Sequence, residues 1–209
     1  MPVIQKEVED FFQKYLLGWM CTDIEKCITA TANLGVAALL MTYTENIGSI
    51  IAGHLGLSGH SRADFNNFLE YFEFNGDPKY YKDFRIKYRE TKSSSTRETD
   101  IYEAFRCGLV HEYAPKFLCS VANNPIATPI PPGAPGVSIT ATFSPMGYSG
   151  YIPPQPGKPQ LLFYTNAYYR DFKNALDKVY KIISNKTDPN LIQNCQTSLE
   201  RIFERELVS

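Results

Sequence analysis

The most apolar stretch of the chain runs from Leu34 to Leu57, and it sets the first constraint on the fold. Water disfavours so much apolar surface, so other parts of the chain have to cover it. Apolar and small side chains recur from Ile24 to Ile51 on more than one helical face, which predicts a long central helix beginning at Ile24. Glu45 interrupts the stretch, and a carboxylate there makes a membrane span costly. We therefore expect a buried helix in a soluble, cytoplasmic protein that does not enter a membrane.

Helical periodicity continues on both sides of this segment. Residues 3–17 carry an apolar helical stripe, which we expect to end at Gly18 before a cap at Thr22 or Asp23. Five further helices are predicted at residues 62–72, 81–88, 99–114, 168–183 and 189–207. Pro115 cannot donate a backbone N–H, so the helix predicted at residues 99–114 should end or kink there.

Residues 124–160 have a different composition, with most of the 14 prolines of the chain and several glycines. A continuous helix is excluded there because proline removes helical hydrogen bonds. Val137, Ile139, Ala141 and Phe143 alternate with Ser and Thr, which predicts a strand, and residues 161–164 are its expected partner. The predicted fold class is mainly α. It is an antiparallel helical bundle in a single domain, residues 1–209, with a small two-stranded, Pro/Gly-rich β-hairpin insertion at about 124–164.

The net charge of −1 provides no general attraction to nucleic acid. Basic side chains interleave with aromatic ones between Lys79 and Arg97, and we favour a solvated amphipathic face over an RNA-binding strip. Five scattered cysteines without a C-x-x-C pair favour free thiols over disulfides or structural zinc. His54 and His60 flank a glycine-rich turn without visible further ligands, so loop histidines are favoured over a metal site. No cofactor is predicted.

The segment IYEAFRCGLVHEYAPK carries the side chains that best suit chemistry, in the pattern Arg106, four residues, His111, one residue, Tyr113. Arginine offers a fixed fork of donors to phosphate oxygens, and histidine exchanges protons near neutral pH. Five residues at about 100° each place Arg106 and His111 about 140° apart on one helix. We therefore expect one chain alone not to direct both groups to a single point, whereas two copies across a two-fold axis would.

This R-x4-H-x-Y pattern, late in a helix and followed by the helical segment DFKNALDKVYKII, resembles the HEPN family. The resemblance implies a dimeric helical bundle with a metal-independent endoribonuclease site at the dimer cleft. Arg106 would stabilise phosphate and His111 would transfer protons. Tyr113 would position phosphate or be modified by a nucleotidyltransferase antitoxin, which suggests a toxin or defence effector acting on RNA. Cys107 departs from the Asn or Asp that often follows the arginine in active members.

Two alternatives remain open from the residues. In the first alternative, the chain is a non-catalytic dimeric helical module that binds a protein or nucleotide. The motif then only caps its own helix. Glu45 and Asn46 orient Arg106 or line the cleft, or they only satisfy buried neighbours.

Overall fold

A computed structural model of the chain describes residues 3–89, 95–111, 120–122, 134–140 and 160–203. Helix α1 consists of three consecutive segments, which are α-helical Gln5–Asp10, π-helical Phe11–Met20 and α-helical Cys21–Thr29. Helix α2 spans Asn33–Ile51. The expected stop at Gly18 and helix start at Ile24 are therefore wrong. Glycine permits a helix end without enforcing one, and the break instead lies at Thr31, whose φ of 58° is left-handed.

Four more helices follow. They are α3 (Ser61–Leu69), α4 (π-helical Tyr102–Cys107 and then α-helical Gly108–His111), α5 (Thr165–Ser184) and α6 (Pro189–Phe203). These four agree with the predicted segments, although residues 112–114 of α4, the end or kink expected at Pro115 and the last few residues expected in α6 lie outside the described residues. The mainly helical fold class is confirmed.

The helix expected at residues 81–88 is wrong, because that region contains a turn and then a β-hairpin. Strand β1 (Ile86–Arg89) pairs antiparallel with strand β2 (Thr96–Thr99). Ile86 faces the core, whereas Lys87 is exposed and forms a cross-strand ion pair with Glu98 at 3.3 Å. This alternation is the period of two that a half-buried strand requires.

The pairing predicted for Val137 and Ile139 is confirmed, whereas Ala141 and Phe143 lie outside the described residues. Strand β4 (Val137–Thr140) lies antiparallel to β5 (Gln160–Tyr164). A third strand, β3 (Ser120–Ala122), precedes the predicted insertion and adds to the other side of β5 in parallel orientation. The sheet is therefore larger than the expected two strands. Val137, Leu161 and Phe163 are buried and attach it to the helical core.

Helix α2 is the centre of the core, as the apolar stretch predicts. It packs against α1, α3, α5 and α6 and buries ten of its residues. By length and composition alone α2 is apolar enough to cross a membrane, but 56% of that window is buried inside the protein. The fold itself therefore covers just over half of this window, a property that the core helix of a soluble protein also shows.

A buried polar network ties the sheet to α5. The Tyr81 hydroxyl donates to the Asp171 carboxylate and accepts a hydrogen bond from the Gly136 N–H at 2.7 Å. The Arg170 guanidinium donates to the other oxygen of Asp171 at 2.7 Å. Buried polar groups need such partners because unpaired ones cost free energy.

Candidate functional site

Arg106 and His111 meet within a single chain at the end of α4. The Nη1 of Arg106 lies 2.5 Å from the Nε2 of His111. The expectation that one helix cannot bring the two groups together is therefore wrong. It assumes α-helical turns throughout, whereas Tyr102–Cys107 is π-helical, and the long arginine side chain spans the gap that remains. A second copy is not required for this contact.

The direction of the Arg106–His111 hydrogen bond defines the state of the imidazole. A guanidinium has donors only, so the Nε2 of His111 must accept. The contact therefore requires a neutral imidazole whose proton sits on Nδ1. This is the protonation state in which histidine can receive a proton from a substrate.

Glu45 of α2 holds the other side of the Arg106 guanidinium. Nη2 of Arg106 donates to Oε1 of Glu45 at 3.1 Å, and Nε contacts Oε2. One charge-assisted hydrogen bond and a second close charged contact therefore attract the guanidinium and orient it. Only 13% of the Arg106 side chain and 14% of the Glu45 side chain are exposed. Of the two roles considered for Glu45, orienting Arg106 is the one the contacts support, whereas Asn46 is exposed.

The aromatic ring of Tyr102, one turn before Arg106, lies against the guanidinium of this ion pair. Its ring centroid lies 5.7 Å from the Arg106 guanidinium carbon and 4.9 Å from that of Arg62. Both distances are in the range of cation–π attraction. Burial raises the pKa of the Tyr102 phenol, so the ring stays uncharged at neutral pH.

Arg62 has its own acidic partners, one just before α4 and one in its first turn. Its Nη1 lies 2.7 Å from Asp100 and its Nη2 lies 3.1 Å from Glu103. Arg62 thereby borders a pocket of about 440 Å³ beside α4, together with Arg85, Tyr88, Glu98, Thr99, Asp100 and Glu103. The sequence gives no sign of this arrangement, because Arg62 and Asp100 lie far apart in the chain.

The site has a covered end and an open end. Glu45 and most of Arg106 are shielded, whereas His111 is exposed. Tyr113, the third predicted site residue, lies outside the described residues. Burial and nearby Glu103 raise the pKa of the Cys107 thiol, so it is not an activated thiolate nucleophile.

Two of the basic residues between 79 and 97 have their charge compensated by a carboxylate, and a third is bound to the backbone. Lys82 pairs with Glu70 at 2.6 Å, and Lys87 pairs with Glu98. Arg85 donates to two backbone carbonyls. These contacts favour the solvated-surface interpretation over an RNA-binding strip.

Comparison with protein-family models, curated proteins and solved structures finds no match for this chain. The resemblance to the HEPN family therefore depends on the motif and on the order of helices.

Proposed function

We propose that the protein is a metal-independent endoribonuclease of the HEPN type. The observation that supports this most directly is the contact between Arg106, anchored by Glu45, and the exposed His111. A guanidinium that binds phosphate and a neutral imidazole that accepts a proton each supply a function that RNA cleavage by the 2′-hydroxyl needs. In this proposal no metal ion takes part in the chemistry.

The proposed reaction begins when a phosphate oxygen of RNA replaces His111 as the acceptor for Nη1 of Arg106. Nε and Nη2 remain on Glu45, so only the outer end of the guanidinium changes partner. The released Nε2 of His111 then takes the proton of the 2′-hydroxyl, and O2′ attacks phosphorus. The bond to the 5′-oxygen breaks, that oxygen takes a proton from the imidazolium, and a 2′,3′-cyclic phosphate forms. Arg106 stabilises the charge that develops on the phosphate oxygens.

The proposal also includes a biological setting drawn from the family resemblance. The enzyme acts in the cytoplasm as a homodimer and serves as a toxin or defence effector. A nucleotidyltransferase antitoxin restrains it by modifying Tyr113. Size-exclusion chromatography with light scattering tests the homodimer directly.

The test of activity is cleavage of a fluorescent RNA in EDTA by the wild type and by Arg106→Lys, His111→Ala and His60→Ala variants. We expect His111→Ala to lose about 100-fold or more of the rate, as for removal of an acid–base group. Arg106→Lys should also be slow, because lysine lacks the planar fork. His60→Ala is the matched histidine control and should cleave at the wild-type rate. Equal cleavage by all four proteins would refute the assignment.

One observation favours a second candidate, the non-catalytic helical module. Glu45 neutralises Arg106, whose side chain is mostly shielded, and such an ion pair also serves as a clamp between α2 and α4. In that case no variant and no wild-type sample cleaves RNA. Arg106→Lys then weakens folding without affecting any activity.

A further inference from the structure

The pocket of about 440 Å³ at the start of α4, beside the β1–β2 hairpin, has charged side chains of both signs in its lining. Its volume is in the range of small-molecule sites, about 300–1,000 Å³. Arg62 and Arg85 are its cations, and Asp100 and Glu103 contribute carboxylates. A free phosphate there would be repelled by the carboxylates. The lining instead fits an uncharged ligand that offers both hydrogen-bond donors and acceptors.

Arg85 is held by neutral partners and keeps its full charge. Its Nη1 donates to the backbone carbonyls of Lys82 and Phe84, at 2.8 and 2.9 Å. Among the described residues no carboxylate pairs with Arg85. It differs in this from Lys82 and Lys87, whose charges are paired with carboxylates. The edge formed by Nε–H and Nη2–H, two parallel donors, therefore remains for a ligand.

Asp100 and Glu103 supply acceptors to the same pocket. Both hold Arg62, whose Nη1 lies 2.7 Å from Asp100 and whose Nη2 lies 3.1 Å from Glu103. A carboxylate has about four lone-pair sites, so each of them can accept further N–H groups. Glu98 also lines the pocket, but its carboxylate pairs with Lys87 across the hairpin. The pocket therefore combines a fork of donors with carboxylate acceptors that an ion pair holds in place.

Guanine is the nucleobase whose edges fit this combination. Its O6 and N7 accept the two parallel donors of an arginine, which is the commonest specific contact to a base. Its N1–H and 2-amino group lie side by side and donate to carboxylate oxygens. Adenine carries an amino donor in the place of O6, so it would oppose the donors of Arg85. Tyr88 adds to the lining an aromatic ring of the kind on which unstacked bases stack.

The pocket adjoins the proposed catalytic site through Tyr102. The ring centroid of Tyr102 lies 4.9 Å from the guanidinium carbon of Arg62 and 5.7 Å from that of Arg106. From Glu103 to His111 the helix rises by about 12 Å at most. Nucleotides of a stacked strand are spaced about 3.4 Å apart. About three nucleotides therefore reach from the pocket to the imidazole.

We propose that this pocket binds a guanine base of the RNA substrate, within about three nucleotides of the phosphate that Arg106 contacts. Arg85 recognises O6 and N7, and the carboxylates of Asp100 and Glu103 recognise N1–H and the 2-amino group. The place of this guanosine in the RNA rests on the proposed ribonuclease function, whereas binding of the base itself does not.

Binding of the base is tested by NMR titration of the protein with 5′-GMP, 5′-AMP and 5′-IMP, which share the same ribose and phosphate. We expect GMP to bind about 5- to 100-fold more tightly than AMP, the discrimination that a bidentate arginine contact gives. IMP retains O6 and N7 but lacks the 2-amino group, so it should bind more weakly than GMP. Absence of GMP binding, or equal affinity for GMP and either of the other two, would overturn the proposal.

Variants separate the donor fork from the general charge of this surface. Arg85→Lys keeps the charge but removes the fork, so it should bind GMP no more tightly than AMP. Lys82→Ala removes an exposed cation outside the pocket lining and leaves the carbonyl that holds Arg85, so it should bind GMP as the wild type does. Wild-type affinity for GMP in Arg85→Lys would also overturn the proposal.

The place of the guanosine is tested by sequencing the products of a randomised single-stranded RNA that is cleaved in EDTA. Guanosine should be enriched at one position within about three nucleotides of the cleavage site. In Arg85→Lys this enrichment should disappear while cleavage continues. Cleavage by the wild type without a guanosine preference would overturn the proposal and leave the ribonuclease function standing. If no protein cleaves RNA, the ribonuclease function fails, and the GMP titration still decides whether the pocket binds guanine.

Discussion

At the level of single residues, the ion pair between Glu45 and Arg106 contributes both to the stability of the fold and to the geometry of the candidate site. Both side chains are largely removed from water. Taking one partner away leaves the other as an uncompensated buried charge, which costs more than the pair contributes when intact. The pair is therefore best tested by comparing the free energies of unfolding of both single variants and of the double variant.

Glu45→Gln and Arg106→Gln should each lower the free energy of unfolding by roughly 3 kcal/mol, the lower range for breaking a buried ion pair. The double variant should lose clearly less than the sum of the two, because neither charge is then left alone. Urea unfolding followed by circular dichroism measures all four proteins. The exposed pair Lys82–Glu70, neutralised in the same way, is the control and should show no measurable coupling. Additive losses at Glu45 and Arg106 would contradict the contact.

The sequence identifies part of this site and misses the rest for a physical reason. Arg106 and His111 are recognisable because they lie in one short helical pattern, and Glu45 is conspicuous as a carboxylate in an apolar helix. Arg62 and Tyr102 carry no such local signal. They meet only because α3 packs beside α4, and sequence spacing contains no information about that packing.

At the level of elements, the sequence predicts helices well where one apolar stripe decides them, as in α5. It fails at residues 81–88, since Tyr81, Phe84 and Tyr88 happen to have helical spacing. Strand β1 contains only four residues, which is too short for alternation to be recognised. The break between α1 and α2 is missed because the left-handed Thr31 is rare for a threonine and has no sequence signature.

The crossing of α2 and α3 gives the clearest prediction for an element. A Cβ at Gly48 would lie 1.7 Å from the backbone oxygen of Asp64 and 2.5 Å from its carbonyl carbon. Gly48→Ala should therefore force the helices apart and destabilise the protein by about 1–3 kcal/mol, the range for overpacking. Thermal and urea unfolding measure the loss.

Gly35→Ala is the matched control on the same helix. Its new Cβ would meet nothing closer than the Cβ of Ala32, at 4.0 Å. Alanine has the higher helix propensity, so this variant should be neutral or more stable by up to about 1 kcal/mol. Equal stability of the Gly48→Ala variant and the wild type would mean that α2 and α3 do not cross as closely as described.

At the level of the whole molecule, the shared core removes several weak acids from water together. Burial raises the pKa of the Cys195 thiol from 9.0 to about 12 and raises that of Cys21. Burial also raises the pKa values of the Tyr81, Tyr168 and Tyr169 phenols, and the Asp171 carboxylate adds to the effect at Tyr81. The folded protein therefore retains protons that the unfolded chain loses in alkaline solution.

Stability should consequently fall as the pH rises above about 9, where unfolded thiols ionise. In the folded state the pKa of Cys195 is about 12. The free energy of unfolding that its burial contributes is therefore complete below pH 9 and is lost as the pH rises from 9 to about 12. Each such group adds a slope of about 1.4 kcal/mol per pH unit to the dependence of stability on pH.

Urea unfolding under reducing conditions at several values from pH 8 to 11 should show a smaller slope in Cys195→Ala than in the wild type. Leu199→Ala, which truncates a buried apolar side chain on the same helix, should lower stability and leave the slope unchanged. Identical slopes in the wild type and Cys195→Ala would show that the thiol is in contact with water, which the packing of α6 on the core does not allow.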